Sequence, residues 1–172
     1  MKRGDPRIRL LLAVLDEAFA AKGWQGATLS SSLRGLTIGQ VLWRPGRGRH
    51  NVWELVLHAA YWKHVVRQRV EGRRGEPFPR SPRNYPDLPA RPGAAAWRAD
   101  VALLKRQHDA LKRTVGTLPP SRLAARVGRS SWRVEEQIFG IAAHDLYHTG
   151  QIQLLKALQR GRQPRRRVSG PG

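Results

Sequence analysis

Two histidines that stand four residues apart, His144 and His148, lie in a long run of helical apolar periodicity from Glu135 to Leu158. On an α-helix, residues at this spacing lie one above the other on the same face, so both imidazoles can converge on one metal ion. The two histidines continue an apolar row, which predicts that their face is buried. The members of that row are Val134, Ile138, Ile141, Ile152 and Leu155. Because an unpaired polar group in a core is costly, inward histidines need partners, and a shared metal ion would supply one.

A third histidine, His58, lies in a second long helix that the sequence predicts from Asn51 to about Glu71. Asn51 followed by Glu54 is typical of a capping box at a helix start. His58 falls on the edge of the apolar face, so the helix carries one histidine inward. Taken alone, a histidine in the position of His58 is more often a satisfied residue at the edge of the core than a metal ligand.

The remaining helices are predicted from caps and breakers. Asp5 and Pro6 begin a helix that runs to about Lys22, and the segment 23–34 is a glycine- and serine-rich loop. A short helix covers Thr37 to Trp43, and a third long helix covers Ala94 to Leu118. Ser130 or Ser131 is the expected N-cap of the helix with the two histidines. Residues 1–160 then form one domain, and 161–172 form a flexible basic tail.

A proline-rich stretch from Gly72 to Gly93 separates the second and third long helices and has no usable periodicity. A loop of this length in a compact domain usually has a role, such as crossing the end of a bundle or covering a site. With four long helices, no convincing strand and one long crossover, the sequence predicts an all-α four-helix bundle of the up-down-down-up type.

The segments NVWELVLHAAYWKHVV and VEEQIFGIAAHDLYHTGQIQLL, together with LTIGQVLWRPGRGRH before the first of them, resemble the DinB/YfiT-like family of metal-binding four-helix bundles. The resemblance covers nearly the whole chain. It implies a metal triad formed by His58, His144 and His148. One departure is Arg133, which stands where the family often has a threonine or serine before Val-Glu-Glu.

The resemblance also implies a chemistry. Three imidazoles leave at least one position of a divalent ion open, as in catalytic sites. Zinc or nickel suits such a donor set. Members of the family act as thiol-dependent S-transferases, isomerases or hydrolase-like proteins with thiols such as mycothiol or bacillithiol. We therefore expect a metal-dependent enzyme of thiol S-transferase or hydrolase type, active on a small-molecule substrate and homodimeric. The absence of cysteine and of an export signal favours a cytoplasmic location. No catalytic residue beyond the triad can be named.

Composition leaves two other functions open. The net charge of +20 allows a basic bundle that binds nucleic acid in a damage or stress response, although no nucleic-acid motif is present and an arginine-rich codon bias would give the same charge. A structural or sensory metal bundle without turnover is the other alternative. The absence of cysteine excludes disulfides and thiolate ligands, and no apolar run is long enough to span a membrane.

Several other polar and aromatic residues have a more ordinary interpretation. Three histidines are not expected to bind the metal: His50, His64 and His108. Asp145 and Glu54 could orient a ligand imidazole through its outer N–H, but salt bridges with the many arginines explain them better. Packing accounts for the residues that flank the histidine face, Tyr147 and Gln151. Core positions are expected for Trp53, Trp62 and Trp97.

Overall fold

The computed structural model describes residues 5–20, 22–72, 75–128 and 130–161, which are helical and contain no strand. Four long helices form the body of the protein, and two short helices and one 3₁₀ turn join them. The elements are α1 (Pro6–Phe19), α2 (Leu29–Ser32), α3 (Ile38–Leu42), α4 (Val52–Glu71), α5 (Ala94–Gly116), the 3₁₀ turn Pro120–Arg122 and α6 (Val134–Gly161). The all-α prediction is confirmed.

The contacts between helices give the direction of each one. In the pairs that join α4 to α5, the residue numbers of both helices increase in the same direction, so these two helices are parallel. The pairs are Trp53 with Asp100, Lys63 with His108 and Glu71 with Thr114. Pairs between α4 and α6 run in opposite directions: His58 with His144 and Arg69 with Gln137. The pairing of Asp16 with Lys112, and of Leu12 with Gly116, makes α1 antiparallel to α5. The bundle therefore has the predicted up-down-down-up topology.

The crossover between α4 and α5 is required by this topology. Because the two helices are parallel, the chain must return along the whole of α4, about 30 Å for its 20 residues. Gly72 ends α4 at φ 73°, a left-handed conformation that glycine adopts without strain. The returning chain passes the histidine face of α4, as the contacts of Asn84 described below demonstrate.

The buried residues form two apolar clusters at opposite ends of the bundle, with polar side chains between them. One cluster is built around Trp53, Leu57 and Leu104, and the other around Leu15 and Leu111. Most of the buried polar residues of α4, α5 and α6 lie between these clusters in the sequence of their helix: Lys63, His64, His108, Asp145, His148 and Thr149. The other two, His58 and Asp100, lie among residues of the first cluster.

The structure differs from the prediction mainly at helix ends. Thr28 caps a short helix, α2, within the segment predicted as a loop, and α1 ends at Phe19 rather than near Lys22. Neither Ser130 nor Ser131 caps α6. The carbonyl of Arg133 accepts the first helical bond, from Gln137, and the Arg133 N–H donates to Glu136 Oε2 at 2.6 Å. One half of a capping box is therefore present, and arginine cannot supply the other half.

Of the predicted basic tail, Gly161 is the last residue of α6 and 162–172 lie outside the described residues. None of the described helices combines the length and the apolar character that crossing a membrane requires.

Candidate metal centre

His58, His144 and His148 meet between α4 and α6. The Nε2 atom of His144 lies 3.0 Å from Nε2 of His58 and 3.0 Å from Nε2 of His148. One ring nitrogen from each residue lies within 4.8 Å of the other two, an arrangement that could hold a metal ion. The structure thus brings together the three histidines that the sequence analysis selected, which we call the histidine cluster. Their role as ligands stays a prediction.

The histidine cluster is largely removed from solvent. His58 and His148 are 6% and 2% exposed, and His144 is half-buried. Burial lowers the pKa of His58 to about 4 and that of His144 to about 3, and it also lowers the pKa of His148. All three imidazoles are therefore neutral at pH 7, the form in which a histidine offers a lone pair to a metal.

The crossover fixes the orientation of His58. The backbone carbonyl of Asn84 accepts a hydrogen bond from His58 Nδ1 at 2.8 Å, and its side-chain Oδ1 accepts one from Trp62 Nε1 at 2.8 Å. Asn84 has φ 70°, a left-handed conformation that asparagine tolerates better than most residues. Tyr85 stacks on the His58 ring with a centroid distance of 4.1 Å. The crossover therefore covers the histidine cluster at His58, which is one of the two roles predicted for a loop of this length.

His148 takes its orientation from its own helix. Gln151, three residues further along α6, accepts a hydrogen bond from His148 Nδ1 at 2.6 Å. Sequence analysis explained Gln151 by packing alone, and this was wrong. His144 differs from the other two, because its Nδ1 is buried and has no hydrogen-bond partner among the described residues.

These contacts leave the centre of the histidine cluster short of protons. Asn84 O and Gln151 Oε1 are acceptors only, so His58 and His148 carry their protons on Nδ1 and direct lone pairs from Nε2. If His144 carries its proton on Nε2, that proton must serve two acceptors. If it carries the proton on Nδ1, three lone pairs meet with no donor. A cation at the centre satisfies all three Nε2 atoms once His144 carries its proton on Nδ1.

The spacing also fits a metal ion. Zinc–imidazole bonds of about 2.0–2.1 Å at tetrahedral angles put ligand nitrogens about 3.3 Å apart. The two Nε2 separations of 3.0 Å are close to that value. Neutral nitrogen donors, a converging geometry and orienting partners on two of the three rings match the donor set of a zinc or nickel site.

A second group of buried polar residues lies on the other side of the same helices, and we call it the charged cluster. Lys63 Nζ donates to Asp145 Oδ2 at 2.5 Å and to His108 Nδ1 at 3.3 Å, and Lys63 and Asp145 are fully buried. Burial raises the pKa of Asp145 against the opposing effect of the Lys63 ammonium. The expected partner of Asp145 was an arginine, and this was wrong. Asp145 follows His144 directly but is not hydrogen-bonded to any ligand imidazole in the described structure.

The other residues singled out in the sequence occupy the surroundings of the histidine cluster. Glu54 pairs with Arg44 at 2.5 Å, as expected for a salt bridge, and also contacts His50. His50 is exposed and stacks on Tyr85, while His64 is buried against Gln68 and Phe78. Trp53 and Trp97 are core residues as expected, whereas Trp62 is only half-buried. Tyr147 is 64% exposed, so core packing does not explain it.

Sequence reasoning missed Asn84 and Lys63. Asn84 stands among prolines in a loop without periodicity, and nothing in that pattern shows which residue reaches His58. Lys63 did carry a signal, since it continues the spacing of Ala59, Val66 and Val70, all buried on α4. A lysine on a buried stripe indicates a buried acidic partner.

The model of one family, the DinB superfamily, matches residues 23–152. This range includes the whole of α4, the crossover, α6 as far as Ile152 and all three histidines. No curated protein matches the chain significantly. No solved structure does so either. Since the family model covers well over half of the 172 residues, the chain belongs to the DinB superfamily.

Proposed function

We propose that this protein is a divalent-metal-dependent enzyme of the thiol S-transferase or hydrolase type, with the ion held by His58, His144 and His148. The observation that carries the proposal is the convergence of three neutral Nε2 atoms that have too few protons to satisfy one another. Zinc or nickel is the proposed ion. When bound, it would act as a Lewis acid and lower the pKa of a thiol or water beside it.

The chain's own residues support such a site in three ways. Asn84 O and Gln151 Oε1 hold two imidazoles in the tautomer that binds a metal. Tyr85 covers one side of His58 and limits the access of water. A cavity of about 230 Å³ opens beside His144, so a substrate can approach the cluster from one direction. A purely structural site is normally closed by a fourth protein ligand, and none of the described residues supplies one here.

A low-molecular-weight thiol would bind beside the histidine cluster in the proposed reaction. Its thiolate would attack an electrophilic carbon of a small molecule held in the adjoining cavity, so that a carbon–sulfur bond forms as the bond to the leaving group breaks. The protein's part is to bind and orient both reactants and to keep water from competing. In the hydrolytic version of the proposal, water takes the place of the thiol.

A homodimer is part of this proposal. The solvent-facing side of α6 has apolar residues at helical spacing, with exposed fractions of 43 to 64%: Phe139, Tyr147, Leu154 and Leu158. An apolar row of this kind on a soluble helix favours burial against a second copy. Light scattering after size exclusion should give the mass of a dimer, and Leu154→Glu should reduce it to that of a monomer. A monomeric parent protein would remove the dimer from the proposal without affecting the metal site.

Elemental analysis tests the metal site directly. The protein should be purified without a histidine tag and without added metal, beside a His144→Ala/His148→Ala variant. We expect about one equivalent of zinc or nickel in the parent protein and none in the variant. His50→Gln is the matched control, because it removes an exposed histidine that lies outside the cluster. It should retain the metal.

The outcomes separate the competing functions. If neither protein contains metal and none is taken up on titration, the proposal fails. If metal binds but no thiol donor reacts with any electrophile tested, and His148→Ala costs only thermal stability, the protein is a non-catalytic metal bundle. Nucleic-acid binding that disappears at moderate salt and lacks sequence preference would be adhesion due to the net charge of +20.

A further inference from the structure

The cavity beside His144 has a defined chemical character. It lies between α4 and α6, and its walls are mainly apolar. Trp62, Val66, Trp132 and Ile141 contribute side chains to it, and Gly140 contributes only backbone. Trp132 is 59% exposed, so its indole is available to a ligand. An apolar cavity lined by two indoles favours a ligand with an aromatic ring or a compact alkyl group.

The end of the cavity away from His144 is positively charged. Arg69 and Gln137 line it, and Arg69 Nη1 donates to Gln137 Oε1 at 3.3 Å. The Arg69 guanidinium also lies over the Trp62 ring, 5.7 Å from its centroid. Arg69 is exposed, and these contacts use one of its five guanidinium donors. No ion pair joins Arg69 to a carboxylate of the described residues, so its other donors are available to an anionic ligand at this end of the cavity.

Glu136 is the one acidic residue that lines the cavity. Its Oε2 accepts a hydrogen bond from the Arg133 backbone N–H at 2.6 Å, within the first turn of α6. The positive end of the helix dipole favours a carboxylate at this position. Glu136 thus has a structural role at the helix start and is not paired with Arg69.

The two ends of the cavity are separated by a distance that the helices fix. Gln137 precedes His144 by seven residues on α6, and Arg69 follows Trp62 by seven residues on α4. Seven residues of α-helix rise about 10 Å. A volume of about 230 Å³ over that length accommodates a ring with a short chain.

We propose that this cavity binds small aromatic or alkyl carboxylates, with the carboxylate at Arg69 and Gln137 and the other end of the molecule beside His144. The proposal rests on the function proposed above, since it places the reacting end of the molecule beside His144, at the proposed metal site. It thereby assigns the substrate class. A substrate of this class carries an electrophilic centre about 10 Å from an anionic group. Arg69 would be a specificity-determining residue, because it rejects analogues that lack the charge.

Calorimetry with two matched probes tests the assignment. The probes are 4-phenylbutyrate and its neutral amide, 4-phenylbutanamide, which differ mainly in charge. Each is titrated into metal-free protein and into zinc-loaded protein at moderate salt. We expect the carboxylate to bind at least about tenfold more tightly than the amide, since hydrogen bonds to a charged group are stronger than those between neutral groups. Quenching of tryptophan fluorescence provides an independent readout through Trp62 and Trp132.

Three variants identify the contacts responsible. Arg69→Met should make the two probes bind equally. Arg106→Met is the matched control, because Arg106 is an exposed arginine of α5 outside the cavity. It should preserve the preference for the carboxylate. Gly140→Leu should abolish the binding of both probes without loss of folding, because a Cβ added at Gly140 has open space around it and the longer side chain would occupy the cavity that Gly140 lines.

Two results would overturn the proposal. One is equal binding of the amide and the carboxylate to the parent protein, and the other is an equal loss of carboxylate binding in Arg69→Met and Arg106→Met. The second result would mean that the net positive charge attracts the probe. Binding to metal-free protein does not depend on the ion, so the assignment of the cavity and the assignment of the metal site can fail separately.

Discussion

The histidine cluster and the charged cluster share the same helices but differ in what they require. Lys63 and Asp145 bring opposite charges together, so the charged cluster neutralises itself inside the protein. The histidine cluster directs lone pairs toward one point and contains no group that can meet them. His144 and Asp145 are adjacent in sequence, yet the helical turn of about 100° per residue sends them to different sides of α6. Burial of polar groups alone therefore does not identify a functional site, and neither does one unpaired atom, since Asp145 Oδ1 is also buried without a hydrogen-bond partner among the described residues. What distinguishes the histidine cluster is that three neutral nitrogen donors converge on one point.

The largest effect should come from breaking the charged cluster. Lys63→Met leaves the Asp145 carboxylate buried without its cation, and we expect a loss of about 3–5 kcal/mol in the free energy of unfolding. Lys63→Met/Asp145→Leu removes both charges and should be much closer to the parent protein. Urea denaturation of the two variants and of Asp145→Leu measures the coupling. Simple additivity of the two single variants would show that the charges do not stabilise each other.

The histidine cluster should respond to metal instead. An ion that binds only the folded protein stabilises it by about 2.7 kcal/mol at a hundredfold excess over Kd and about 4.1 kcal/mol at a thousandfold excess. Zinc should therefore raise the unfolding free energy of the parent protein and have no effect on His58→Ala. Lys63→Met/Asp145→Leu should keep its full response to zinc. If zinc raised the unfolding free energy of that variant less than that of the parent protein, metal binding by the histidine cluster would depend on the charged cluster.

A smaller effect should follow from disturbing one orienting contact. Gln151→Leu removes the acceptor of His148 Nδ1–H but leaves all three histidines in place. Loss of an outer partner of this kind typically reduces metal affinity about 10- to 100-fold. Competition with a chelator of known affinity measures the change. Gln151→Glu keeps an acceptor at the same place and should preserve the affinity; if it weakens binding as much as leucine does, Gln151 does not act through His148.

The smallest of these effects concerns pH and the charged cluster. Burial, with Lys63 and the nearby Lys112 and Lys105, lowers the pKa of His108 from 6.5 to about 2, although Asp16 lies 3.9 Å from its Nε2. Folded His108 stays neutral, while the unfolded chain takes up a proton below pH 6.5. The stability that His108 contributes is thus present above pH 6.5 and decreases as the pH falls.

For this one group, the loss between pH 7 and pH 5.5 should be about 1.3 kcal/mol. Urea denaturation of metal-free protein at both pH values measures it. His108→Gln retains an acceptor for Lys63 and should have a weaker pH dependence than the parent protein by that amount. An unchanged pH dependence in the variant would mean that His108 does not titrate differently in the two states.

The sequence was sufficient for the parts of the fold that follow from periodicity and capping. Asn51 and Glu54 locate the start of α4, and the spacing of His144 and His148 places both on a buried face. The start of α6 was harder to place, because Arg133 supplies only a backbone N–H to Glu136 and has no side-chain acceptor for a cap.

The contacts around the histidine cluster were not predictable in the same way. His58 reaches His144 across 86 residues, and its outer nitrogen is held by a loop without periodicity. Such contacts depend on how the crossover lies against α4, and no local pattern encodes this. The side of α6 on which Asp145 lies could be predicted, but the identity of its partner on α4 could not.

The two orienting contacts also differ in how mutation can reveal them. Gln151 acts through its side chain, so any scan of single substitutions will detect it. The contact at Asn84 to His58 uses a backbone carbonyl, which every amino acid has. A scan should therefore find position 84 constrained by conformation: glycine and aspartate, which tolerate φ near 70°, should preserve this contact, and β-branched residues should lose it.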